Sequence, residues 1–448
     1  PRGTMRGPWW TPCTWPENPR SNRETPRRRL WGVAGLAAAY RLGVLAGAPD
    51  AASFGVTLLE ASERPGGAIS SWRRDGFLLE GGPDAFLTTK PAALALAEEL
   101  KLTPGVIGTN PDRRRSYVLR DGALVPVPEG FYLMAPSSWK ALVRTPLFSW
   151  KGKLRMALEP LIPARRDGLD ESLGAFVRRR LGREALARFA QPMIGGIYTA
   201  DPEKLSLAAT LPQFLRMERE YGSLFKGLRK SLPKGTSGPR YGLFATFRDG
   251  MQALVDTLVT RMSPAVLEIQ APVQALVPPG APGRPWRIHS AGGRILEADA
   301  VCLALPAWAS ARLLEPVDRA LAAELAAIPY ADCATVNLAF RRDQVGHPLD
   351  GMGFVVPLVE GRDVLSCSFS SSKFPGRAPE GCVLLRAFVG GAMQPDRFAL
   401  PDEALIQAVL RDLGRILDIR GEPLFIELRR HVRSMAQYHL GHLDRVAR

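Results

Sequence analysis

Glu60-Ala-Ser-Glu-Arg64-Pro-Gly66-Gly67-Ala-Ile-Ser70 sets an arginine four residues beyond an acid and follows it with a glycine pair. Just before it, Gly55-Val-Thr-Leu-Leu-Glu60 is a short apolar run ending in that acid, the pattern of a buried strand. Upstream again, Ala34 to about Leu45 has the small-residue spacing of a helix packed on a sheet, with Gly32 and Gly35 at its start. A βαβ dinucleotide site needs glycines so that amides at a helix N-terminus can approach a pyrophosphate. It also needs an acid at the next strand end for the ribose hydroxyls. Gly32, Gly35 and Glu60 supply that set. Their interval exceeds the usual ~20 residues, and an insertion at Gly47–Ser53 accounts for the excess. Arg64 stands where a guanidinium can neutralise a second phosphate, and Gly66 and Gly67 let backbone lie against a flat ligand.

Upstream of Gly32 the pattern breaks. Arg27-Arg28-Arg29-Leu30-Trp31 occupies the place of the first buried strand and first glycine. Such a segment could not be buried as a central parallel strand without a large desolvation cost. Residues 1–30 hold three tryptophans and several prolines without helical or strand period, and the chain begins with proline. The expectation is a non-native or disordered extension, arising from a fragment or a mistranslated frame.

Downstream, Gly76-Phe-Leu-Leu-Glu80-Gly81-Gly82-Pro83-Asp84 reads as a strand turning into a glycine-rich loop. The stretch from about 92 to 260 reads as mostly helical, and Ala298–Leu305 as an apolar strand. Alternating and β-branched runs from about 330 to 395 predict an antiparallel sheet, and residues 402–418 an amphipathic helix. With 448 residues, 46% of them hydrophobic, the chain can bury the cores of two or three domains. Its net charge of +15 is scattered, with clusters at Arg27–Arg29, Arg113–Arg115 and Arg178–Arg180. A nucleic-acid partner would want a basic stripe interleaved with aromatics, and an acidic small molecule or a cytoplasmic membrane surface fits at least as well. The five cysteines form no C-x-x-C pair and the five histidines have no ligand spacing, which argues for reduced thiols and no metal site.

Glu60–Gly67 together with Gly76–Phe86 resembles the FAD-binding entry of the amine-oxidase-like flavoproteins. Within them, Gln191–Leu207 is similar to the G-x-Y-x-x-D-P-x-x-L-S segment of the oxygen-dependent protoporphyrinogen oxidases. Glu218–Leu224, Phe247–Leu254, Ser368–Gly376 and Gln437–His442 are similar to further segments, in order, from Gly32 to the last residue. The resemblance implies an α/β fold: a discontinuous Rossmann-like FAD-binding domain (31–90 and 240–310), an antiparallel-sheet substrate domain (91–115 and 311–430), and a helical membrane-contacting lobe (116–239).

It implies an enzyme that oxidises protoporphyrinogen IX to protoporphyrin IX, with FAD as hydride acceptor and oxygen as reoxidant. Coproporphyrinogen III or another amine-oxidase-type substrate is the first alternative, and an inactive, non-enzymatic remnant the second. Gly32, Gly35, Glu60, Arg64, Gly67, Gly82, Pro83 and Val273 match FAD-contact positions, and Gly196, Val355 and Phe369 match positions that wall the tetrapyrrole. Arg115 is the candidate for a propionate, although the family register falls on Ser116. No residue is singled out as catalytic. Within Ser137–Arg155, Trp139, Phe148 and Trp150 alternate with Lys140, Arg144, Lys151, Lys153 and Arg155, which suits anionic lipid. The expected setting is cytoplasmic, peripheral on the inner face of the cell membrane, with room for a homodimer. Family members continue past the Gln-Tyr-x-x-Gly-His segment with a last strand, an FAD loop and a closing helix. The chain as written is therefore expected to hold FAD weakly or not at all.

Overall fold

The computed structural model describes residues 32–46, 54–132, 134–231, 244–263 and 265–448. The readings for residues 1–31 and for the 47–53 insertion fall outside the described residues. The fold is of the expected α/β class. Helix α1 (Val33–Ala46) buries Leu36, Ala39, Tyr40 and Gly43, a stripe at helical spacing. That stripe packs on Leu254, Val255 and Leu258 of the helix Gln252–Arg261. Strand β1 (Thr57–Leu59) pairs in parallel with β11 (Val266–Glu268), so the nucleotide-type unit is assembled from two distant parts of the chain. A meander of β12 (Val273–Val277), β13 (Trp286–Ser290) and β14 (Ile295–Ala298) completes it. The strand expected at 298–305 is in fact Ile295–Ala298. Val301–Leu305 makes no ladder among the described residues, since apolar character alone does not provide a hydrogen-bonding neighbour.

Seven strands form the largest sheet, in the order β19 (Phe425–Ala436), β15 (Tyr330–Arg341), β18 (Cys382–Gly390), β17 (Val364–Ser368), β16 (Gly351–Val355), β6 (Arg115–Arg120), β7 (Ala123–Pro126). All neighbours are antiparallel except β16 and β6. Alternation divides the side chains cleanly. Val336, Leu338, Phe340, Leu385, Ala387, Phe354, Tyr117 and Leu119 share one core, closed by the helix Asp402–Leu417. On β16 and β6, Val355 and Val118 face the other way, into the core of the helical lobe. On β15 and β18, Ala339 and Leu384 face Phe77 and Leu79 of β3 (Phe77–Glu80), which pairs with β2 (Ser71–Arg74).

Two boundaries differ from the sequence reading. Position 116 falls inside β6, so residues 115–126 lie in the sheet rather than with the helices. The segment from 91 to 108 lies with the nucleotide unit. Ala97 and Leu100 sit in the core under α1, and β5 (Val106–Gly108) pairs with β10 (Phe244–Phe247), which also holds β4 (Phe86–Leu87). The stretch from 92 to 260 is thus mostly helical only between Trp139 and Ser231. Before that it carries β5, β6, β7 and the short pair β8 (Phe131–Tyr132) and β9 (Ala135–Pro136). Their runs are too short for periodicity to separate them from helix.

Candidate active site

Gly32, Gly35 and Glu60 come together. With Leu36, Leu58, Pro65 and Ala304 they line a small crevice where α1 begins and β1 ends. A Cβ built on Gly35 would lie in ordinary contact, 3.4 Å from Leu58 and 3.7 Å from Ala304, so the helix start lies directly against the strand. Glu60 is buried at the carboxyl end of β1. The Ser62 amide and hydroxyl both donate to its Oε1, at 2.8 and 2.7 Å, leaving Oε2 out of these bonds. Burial pushes the Glu60 carboxyl up to about 7 against the opposing pull of Ser62 and Arg64.

Beyond Glu60 the glycines serve close approach. Gly66 and Gly67 have φ of 97° and 62°, a region open to glycine, and a Cβ on Gly66 would meet Val255 at 2.8 Å. Arg64 turns inward. Its NH1 donates to the Pro65 and Ile69 carbonyls and its NH2 to that of Gly67 at 2.7 Å. Arg64 thus braces its own loop through these bonds. Gly82 is buried against the same loop, where a Cβ would lie 1.9 Å from the Ala68 carbonyl oxygen, while Pro83 is exposed. Val273, fully buried at the start of β12, packs with Leu59 beside the strand end that carries Glu60.

The substrate positions separate. Gly196, on the helix Gln191–Tyr198, sits over Val355, with 3.2 Å between a built Cβ and the valine methyl. Phe369 is fully buried on the opposite face of the sheet, against His347 and Phe354. Arg115 likewise shares the parity of Tyr117, away from Val355. It is ion-paired to Asp350 at 2.5 Å, and Tyr117 donates to the same carboxylate. Ser116 has the parity of Val118 and so of Val355. Period-two alternation thus corrects Arg115, where a single-residue register choice was enough to misplace the arginine, and burial in the opposite core corrects Phe369, which follows β17.

A buried ion cluster escaped the sequence reading. Glu80 accepts from Ser71 Oγ at 2.6 Å and the Met251 amide at 3.1 Å, and lies 3.6 Å from Arg377. Lys373 donates to Asp84 at 2.8 Å, and Arg386 stands in the same enclosed space with Asn337 and Leu384. Burial opposes ionisation of Asp84, but Lys373 and Arg386 outweigh it and hold the carboxyl below the usual range. For Glu80 burial wins and raises it. The signal was present: Arg386 breaks the apolar run Val383–Val389 at an inward position, and a buried arginine needs acidic partners.

A crevice at a helix N-terminus, a buried carboxylate at the next strand end, and glycines that admit no Cβ form a donor set that fits a flavin dinucleotide. The model for flavin-containing amine oxidoreductases matches residues 33–444. The chain belongs to this family. It is accordingly an FAD-dependent oxidoreductase, related to the protoporphyrinogen-oxidase-like flavoproteins. The coproporphyrinogen III oxidase of Propionibacterium freudenreichii subsp. freudenreichii is 36% identical over 93% of this chain and 82% of its own length. The chloroplastic protoporphyrinogen oxidase of Nicotiana tabacum is 30% identical over 86% of this chain and 72% of its own. A crystal structure from Exiguobacterium sp. 255-15, provisionally named as a protoporphyrinogen oxidase, superposes with a TM-score of 0.82 at 31% identity, covering 93% of this chain and 88% of that one.

Glu60 gives this flavoprotein a pH signature. Its folded carboxyl titrates near 7 against 4.5 unperturbed, so the native state binds more protons in between. Its contribution to stability is complete below about 4.5 and lost as pH rises through about 7. Ribose hydroxyls that donated to this carboxylate would favour its ionised form, so that FAD uptake would expel a proton below pH 7. The apparent Kd for FAD should tighten by up to about tenfold per unit as pH rises toward 7 and then level off. Glu60→Gln should flatten that profile, as read by flavin fluorescence across this range.

Proposed function

We propose that this flavoprotein oxidises a porphyrinogen to its porphyrin, with molecular oxygen taking the electrons onward. The observation that carries this reading is the similarity, over most of the chain, to coproporphyrinogen III and protoporphyrinogen oxidases. The sequence reading pointed to protoporphyrinogen IX. The higher identity to the coproporphyrinogen III enzyme and the +15 charge favour coproporphyrinogen III, whose four propionates make it the more anionic ring. Bound FAD supplies the two-electron acceptor for hydrogen leaving a meso carbon. The chain orients and shields: Glu60 and the start of α1 hold the dinucleotide, while Gly66, Gly81 and Gly82 let the loops beside them pack tightly on Val255, Ser70 and Ala68. Gly196 and Val355 offer an apolar wall that excludes water. Anaerobic mixing with each porphyrinogen, followed by oxygen, tests the reading. Flavin bleaching, porphyrin fluorescence and then hydrogen peroxide are expected, with the larger kcat/KM for coproporphyrinogen III. A flavin left oxidised by both substrates refutes it.

The helical lobe supports a further part of this reading, contact with the inner face of the membrane from the cytoplasm. No helix among the described residues is long and apolar enough to cross a membrane. Trp150 is 72% exposed, Leu154 64% and Leu161 77%, beside Lys140, Arg144 and Lys151. Phe148 and Arg155 leave the expected set. Phe148 stacks in the core on Phe131, and Arg155 donates to the Arg179 and Arg180 carbonyls, closing the turn after the helix Leu173–Arg180. Replacing Trp150, Leu154 and Leu161 together with serine should lower co-sedimentation with phosphatidylglycerol vesicles at least tenfold, given about 1.5–3 kcal/mol per buried apolar side chain. Unchanged partition would remove the membrane from the proposal.

A further inference from the structure

Two paired strands of the large sheet reach the same short loop. Asn337 of β15 donates to the Glu80 carbonyl at 3.4 Å. Arg386 of β18, directly opposite Asn337 in the ladder, donates through NH2 to the Gly82 carbonyl. The carbonyls on either side of Gly81 are thus each held by a side chain from a different strand. The loop is also fixed through the carboxylates of Glu80 and Asp84, as described above.

In a trans peptide the C=O and the following N–H point in opposite directions. Holding the Glu80 carbonyl sends the Gly81 N–H away from the sheet, where it donates to Ser70 at 2.7 Å. The next amide, the Gly82 N–H, has no acceptor among the described residues although Gly82 is buried. Pro83 has no N–H. A buried backbone donor left without a partner is rare and costly, so its acceptor is expected to come from a ligand. The Ala68 carbonyl blocks any Cβ here, which keeps the backbone itself as the contacting surface.

We propose that Asn337 and Arg386, by fixing the loop on both sides of Gly81, are positioning residues that present the Gly82 N–H to an acceptor atom of the bound flavin. The substrate sheet thereby sets the geometry of a cofactor contact. The proposal rests on the FAD reading but not on the choice of porphyrinogen. Lys373 and Arg377 stiffen the same loop from its acidic side chains.

Hydrogen exchange and flavin titration, on the full chain, test it together. Arg386→Gln and Asn337→Ala should each raise amide exchange in the segment around 78–86 about tenfold, while strands β15 and β18 stay protected, and should weaken FAD binding by a similar factor. Arg386→Lys, which keeps a charged donor, should recover part of both. Asn337→Ala removes no buried charge and so guards against simple misfolding. Unchanged exchange around 78–86, or looser exchange with FAD affinity intact, overturns the proposal, as does failure of the unmodified chain to take up FAD. Normal FAD uptake that is sensitive to these substitutions, with neither porphyrinogen oxidised, instead leaves the clamp standing and removes the substrate reading.

Discussion

Arg180→Ala should cost about 3–5 kcal/mol, a large share of the stability of an ordinary domain. Arg180 is fully buried in the helical lobe and its guanidinium binds the Glu159 carboxylate. It also donates to the carbonyls of Ile162 at 2.8 Å and Gly222 at 2.9 Å, and lies 3.3 Å from Glu218. Glu159 is 1% exposed and further accepts from Ser223 Oγ and the Leu224 amide, and Glu218 is 2% exposed. Deleting the arginine strands both carboxylates in the interior with fewer countercharges, although Arg179 remains on Glu218 at 2.7 Å. Urea unfolding should show the midpoint falling with little change in slope. A double replacement, Arg180→Met with Glu159→Leu, should recover much of the loss, because two apolar groups need no desolvated partner. A loss below 1 kcal/mol in the single variant would mean that water reaches this cluster.

Phe369→Ala is the second large effect, about 3–5 kcal/mol from lost burial and the cavity left behind. The ring is closed in by Phe354 and His347 under the helix Asp402–Leu417. The KM for either porphyrinogen should hardly move in the fraction that stays folded, and Phe369→Leu should recover most of the stability. A raised KM with normal unfolding would restore Phe369 to the substrate wall.

These two cases show what the sequence could and could not carry. The helix, the strand end and the glycines around Glu60 were legible because each answers a local demand: close approach, a donor, or a buried turn. The antiparallel strands from 330 to 395 were legible because one face is apolar over their whole length. Arg115 was misplaced because the face of a strand depends on register, and one residue of slip reverses it. Phe369 was misplaced because it lies just past the end of its strand, where no alternation shows which core it enters. Asn337 and Arg386 lie far apart in sequence and meet only through strand pairing, so no spacing rule joins them. The strands before Trp139 were lost to the helical reading because two to six residues give no period to read.

The discontinuity of the fold has a kinetic meaning. β1 finds its parallel partner only when β11 has been made, and the local β6–β7 hairpin joins the sheet only when β16, still further along the chain, has been made. Non-local pairing of this kind slows folding, since the intervening segment must be closed before any contact repays it. During synthesis β1 and the free edge of β6 emerge long before their neighbours and present unpaired edges to the cell. Newly made chains should therefore depend on chaperones until the ribosome has passed β16, and refolding from denaturant should be slow and sensitive to protein concentration.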